Sequence, residues 1–94
     1  MAKFIEFATP KKNTVDLSFG SAKKIVEEHV NFLKHQAKDG KISYAGSTSD
    51  NVGGLIVYEA ETREEALELI NQDPLTINNL MEISVHPFKT LDEI

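Results

Sequence analysis

The sequence predicts an α+β fold in which a four-stranded antiparallel sheet carries two helices on one face, and three observations lead there. Short segments rich in Phe, Ile, Val and Tyr recur four times, and two longer stretches repeat their apolar residues at steps of three and four. The pieces follow one another as strand, helix, strand, strand, helix, strand, which is the ferredoxin-like split βαβ order. With 94 residues the chain is short for two domains, so residues 1–94 read as a single one.

The first strand is Lys3 to Thr9, and Pro10 ends it in the polar run Lys11-Lys12-Asn13. From Ser21, Ala22, Ile25, Val26, His29, Phe32, Leu33 and Gln36 lie on one helical stripe, with Lys23, Lys24, Glu27, Glu28 and Lys34 elsewhere. This spacing predicts an amphipathic helix to Asp39, closed by Gly40. Lys41 to Ser47 and Gly54 to Ala60 read as an antiparallel hairpin across a loop of turn formers. Thr62 and Glu65 have the spacing of a capping box, and Ala66, Leu67 and Ile70 continue a second helix from Arg63 to Gln72. Asp73-Pro74 opens a short helical stub reaching Asn79, and Leu80 to Phe88 alternates Met81, Ile83 and Val85 with Glu82, Ser84 and His86 as the fourth strand.

Composition narrows the function. The 27 Leu, Ile, Val and Phe residues are enough for a folded core, but a thin one, so self-association is favoured. A net charge of −5 has the wrong sign for a domain held by phosphate contacts, so no nucleic acid partner is expected. The chain contains neither a signal-like apolar run nor a stretch of about 20 apolar residues, so no membrane partner is expected. The lack of cysteine suits a reducing, cytoplasmic compartment and excludes thiolate ligands and cysteine nucleophiles. The three histidines have no metal-binding spacing, so no metal is assigned. A half-apolar second sheet face, to which Phe4, Ala8, Leu55, Val57, Leu80 and Phe88 could project beside Glu6, Glu59 and Glu82 according to register, predicts a homodimer through the helix-free face.

His29 interrupts the apolar stripe of the first helix, between Val26 and Phe32, where Leu or Ile would serve packing better. It reads either as a buried histidine satisfied by a local acceptor or as a general acid–base group. Asp73 before Pro74 reads first as a helix N-cap. In the predicted fold the two helices run in the same direction on one face. At a rise of 1.5 Å per residue, His29 and Asp73 then lie about 12 and about 16 Å along them. That depth allows contact between an imidazole and a carboxylate. His35 falls off the stripe and is expected to be solvated, while His86 faces away from Met81, Ile83 and Val85, towards an interface, a cavity or solvent. Gly53-Gly54 has no following helix and so fits neither a P-loop nor a dinucleotide fingerprint.

The residues His29-Val-Asn-Phe-Leu33, Asp39-Gly40-Lys-Ile, Ala45-Gly46, Gly53-Gly54-Leu-Ile-Val, Glu64-Glu65-Ala66, Asp73-Pro74 and Val85-His-Pro-Phe88-Lys resemble, in this order, the YCII (YciI-like) family. The resemblance implies a dimeric α+β barrel of ferredoxin-like subunits with an active-site His and Asp, which by motif position are His29 and Asp73. It also implies relatives that remove chloride from a hydroxyquinol or isomerise a lactone. The sequence departs from many relatives at Ser47, where proline is common, and at Ile25, where an arginine often precedes the histidine. The cations left to replace that arginine are Lys23, Lys24 and Arg63. The expected function is general acid–base catalysis, an elimination or isomerisation, on a small cyclic or aromatic oxygenated substrate. His29 would exchange the proton, Asp73 would orient it, and no cofactor would be needed. The alternative is a non-catalytic dimeric ligand-binding or structural module in which the pair is a structural hydrogen bond.

Overall fold

A computed structural model describes residues 2–12 and 20–94, so the predicted loop residue Asn13 lies outside the described residues. Its elements are β1 (Ala2–Pro10), α1 (Gly20–Lys38), β2 (Ile42–Ser47), β3 (Gly54–Ala60), α2 (Arg63–Ile70), α3 (Pro74–Ile77), β4 (Met81–Phe88) and a final 3-10 turn, Leu91–Glu93. The strands form one sheet in the order β2-β3-β1-β4 with every neighbour antiparallel, as the ferredoxin-like reading requires. The 3-10 turn is an addition to the predicted elements. Thr90 caps it and Lys3 Nζ meets Glu93 Oε1 at 3.4 Å, which ties it to the end of β1.

Local chemistry accounts for the element ends. Gly40 follows α1 with φ of 76°, a conformation that costs a residue without Cβ little. Thr62 Oγ1 accepts from Glu65 N at 3.2 Å, half of the predicted capping box, but the Glu65 carboxylate accepts from Glu61 N, one residue before the cap. Helix α2 stops at Ile70, two residues earlier than expected, and Asn71 and Gln72 turn the chain into the Asp73 cap.

Strand register decides which side chains meet the helices. Phe4 pairs with Tyr58, and Glu6 with Ile56 and Val85. Phe4 packs with Ala60 and the α2 residue Ala66, and Ile56 and Tyr58 pack with Leu69 and Ile70. This half of the alternation therefore faces the helices. Phe4, Ala8 and Glu6, read as candidates for the second face, lie instead on the helix-covered side, and Leu80 precedes β4. The helix-free face carries Lys3, Ile5, Phe7, Leu55, Val57, Glu59, Glu82, His86 and Phe88. An irregularity between Ile42 and Tyr44 adds Ser43 to β2, so that Tyr44 pairs with Val57 and joins the helix-free face.

Candidate active site

Helix α1 packs against β2 and α3, whereas α2 packs against β3. The stub α3, rather than α2, is therefore the partner that meets the His29 helix. Asp73 caps this stub: its Oδ1 accepts from Leu75 N at 2.9 Å. The same carboxylate faces His29, whose Nδ1 lies 2.7 Å from Oδ1 and 2.8 Å from Oδ2. Capping and pairing, read from the sequence as alternatives, coexist because a carboxylate has about four lone-pair sites. Asp73 is only 1% exposed, while the His29 side chain keeps 17% of its surface open.

That opening leads into a cleft of about 1040 Å³ between α1, α3 and the inner strands. Val26, Val30, Leu33, Leu75 and Met81 give it apolar walls, and Lys34, Thr48, Asn51 and Thr76 add polar groups. Gly53 and Gly54 belong to its rim for a steric reason: a Cβ on Gly53 would stand 2.5 Å from the Ala8 carbonyl oxygen. With Nδ1 engaged by Asp73, His29 Nε2 makes no hydrogen bond among the described residues.

A third ionisable group, not expected from the sequence, lines the cleft. Glu6 is 2% exposed, and its Oε1 has no hydrogen-bond partner among the described residues. Burial, reinforced by the Asp73 charge, pushes its carboxyl up to about 7 against opposing effects of His29 and the Tyr58 hydroxyl. Tyr58 faces the same carboxyl without closing a hydrogen bond of ordinary geometry, and burial first, then Glu6 and Asp73, raise its phenol further. The signal available in the sequence was position: β1 is central in a ferredoxin-like sheet, so the lone carboxylate among Phe4, Ile5 and Phe7 has no solvated edge to occupy.

The remaining candidates lie elsewhere. His35 is solvated and reaches Asp39 Oδ2 at 3.8 Å. His86 sits on the helix-free face with its ring 6.0 Å from that of Phe7 and does not line the cleft. Arg63, considered as an anion-binding cation, donates to the Val85 carbonyl at 3.1 Å, and neither it nor Lys23 or Lys24 reaches the cleft, whose cationic side chain is Lys34. A second hollow of about 440 Å³, lined by Phe7, Tyr44, Val52 and Leu55, opens on the helix-free face and contains no carboxylate, imidazole or ammonium group. No group of three or more His, Cys, Asp or Glu among the described residues is arranged to hold a metal.

The four-stranded antiparallel sheet with helices on one face is the muconolactone isomerase-like α+β fold. The YCII-related domain model matches residues 2–89, and the chain belongs to that family. The uncharacterized protein YjpA of Bacillus subtilis (strain 168) is 33% identical over 64 residues, covering 68% of this chain and 75% of the relative. Among solved structures, the 5-chloro-2-hydroxyhydroquinone dehydrochlorinase of Burkholderia phenoliruptrix AC1100, complexed with 2,5-dihydroxybenzoquinone, superposes with a TM-score of 0.76 at 20% identity, covering 96% of both chains. Muconolactone isomerase gives a TM-score of 0.76 at 17% identity over 94% of this chain and 88% of its own.

Proposed function

We propose that the chain is a small-molecule enzyme in which His29 exchanges a proton with a cyclic or aromatic oxygenated substrate in an elimination or isomerisation. The observation that carries this reading is the pairing of His29 Nδ1 with the buried Asp73 carboxylate at 2.7 Å, on the wall of an open cleft. A carboxylate only accepts hydrogen bonds, so the pair holds the imidazole proton on Nδ1 and directs the Nε2 lone pair at a bound molecule. When Nε2 takes a proton, the new cation forms beside a negative charge already in place, and no cofactor is called for. A sealed structural pair would need no cleft, so the opening at His29 supports the catalytic reading over a purely structural pair. The fold shared with a dehydrochlorinase and a lactone isomerase supports the same chemical class.

The working unit in this proposal is a cytoplasmic homodimer of single-domain subunits joined through the helix-free face. Phe7, Tyr44 and Val52 are 46%, 69% and 61% exposed there, an apolar surface that a second copy would cover. Among the described residues no helix is long and apolar enough to cross a membrane.

The direct test is deuterium incorporation from D2O into cyclohexanone, a butenolide and 2,5-dihydroxybenzoquinone, followed by NMR. The wild type should exchange at least one of them faster than buffer, and His29→Asn and Asp73→Asn should each lower the rate by about 10²-fold or more. Equal rates in wild type and His29→Asn would end the proposal.

A further inference from the structure

The geometry points to Glu6 as the second acid–base group of the cleft, acting on a substrate oxygen while His29 acts on the neighbouring carbon, with neutral carbonyl compounds that enolise as the substrate class. This inference rests on the reading of His29 as a proton-exchanging base. Glu6 lies on one of the two central strands and lines the cleft, and its Oε1 is a buried polar atom without a partner among the described residues. Unpaired groups of this kind are rare in folded proteins, and one that lines a cleft beside an imidazole is placed to meet a ligand.

The groups facing Glu6 define its role. They are Asp73 before α3, His29 on α1 and the Tyr58 hydroxyl on β3, while Val85 is its neighbour across β4. Two neighbouring carboxyls whose charges act on each other oppose joint ionisation, and Asp73 is the one held by the Leu75 amide and His29. Glu6 is thus left to carry a proton near neutral pH, consistent with its carboxyl being pushed up to about 7. A protonated carboxyl donates to a carbonyl oxygen. An anionic carboxylate substrate would be repelled by the buried Asp73 carboxylate, which also lines the cleft. The apolar walls suit a small ring.

For a β,γ-unsaturated cyclic ketone the step balances. Nε2 takes the α-proton, the C–H pair becomes the new carbon–carbon π bond, and the carbonyl π pair moves onto oxygen, which takes the Glu6 proton. The products are a dienol, an imidazolium and a Glu6 carboxylate. The imidazolium then delivers its proton to the γ-carbon, the enol proton returns to Glu6, and the double bond has moved with both side chains restored.

Cyclohexanone, whose oxygen only accepts, separates this role from a structural one. NMR titration of wild-type protein should show its binding weaken about tenfold or more as pH rises through about 7, where Glu6 stops donating. Glu6→Gln, whose amide still donates, should bind with no such dependence but exchange deuterium about 10²-fold more slowly, because it transfers no proton. The pH profile needs only the wild type, so misfolding of the variant would not shelter the inference. Binding that is flat with pH in the wild type, exchange by Glu6→Gln at the wild-type rate, or no binding of any carbonyl probe would each overturn it. If His29→Asn loses exchange while Glu6→Gln keeps it, Glu6 is excluded and His29 stands. If neither variant changes the rate, the reading of His29 fails as well.

Discussion

The two faces of the sheet invert the usual allocation of residues. The helix-covered face buries Phe4, Ile56 and Tyr58, yet it also buries Glu6 and, beneath the helices, Asp73. The helix-free face has charges only towards the strand ends, at Lys3, Glu59 and Glu82, yet it leaves Phe7 and Tyr44 in solvent. Burying ionisable groups is costly, and they persist where something uses them; exposing aromatic surface is tolerated where something covers it. On the proposed reading the covered face serves chemistry and the open face association.

Three changes sharpen this contrast, beginning with the largest expected effect. Phe7→Glu puts a charge into the proposed interface, where truncating an anchor alone costs about 2 to 4 kcal/mol and an unpaired buried charge costs more. Light scattering should show the wild type as a dimer at micromolar concentration and the variant as a folded monomer. A monomeric wild type would remove the association half of the comparison.

The next effect belongs to the covered face. The Glu6 carboxyl is raised from 4.5 to about 7, so the folded chain holds that proton more tightly than the unfolded chain. The stabilisation is complete below pH of about 4.5, falls as pH rises to about 7, and is then exhausted, a change of about 3 kcal/mol. Denaturant unfolding of wild type and Glu6→Gln across that range should show a pH-dependent difference, with the Gln variant gaining relative to wild type as pH rises. Parallel curves would place Glu6 in contact with water.

The smallest effect separates the two tasks of Asp73. Asparagine is as good an N-cap as aspartate, so Asp73→Asn should keep α3, whereas Asp73→Ala should lose about 1 kcal/mol more through the orphaned Leu75 amide. Proton exchange should suffer in both. An Asn variant that unfolds as readily as the Ala variant would show that the cap contributes nothing.

Much of this was legible in the sequence because local patterns and tertiary needs agree. Gly54 to Ala60 is bounded by turn formers and an Ala-Glu-Thr cap sequence, and β3 occupies those same residues. His29 stood out as polar on an apolar stripe, and Asp73 as a cap followed by proline; the depth comparison brought them together although α3, not α2, makes the contact. Glu6 was missed because Phe4 and Ala8 on one side of β1 and Ile5 and Phe7 on the other are both apolar, so alternation could not assign a face. The bulge at Ser43, which turns Tyr44 to the open face, also left no periodic signal, since one added residue reverses the alternation beyond it.

The central claim is that Asp73 holds the His29 proton on Nδ1 and frees Nε2 for the cleft. Nitrogen-15 NMR of the neutral imidazole measures this directly. His29 should show a protonated Nδ1 and an unprotonated Nε2, with addition of a bound carbonyl probe shifting Nε2 and Asp73→Asn weakening the tautomer preference. A neutral His29 carrying its proton on Nε2, with Nδ1 unprotonated, would contradict the claim.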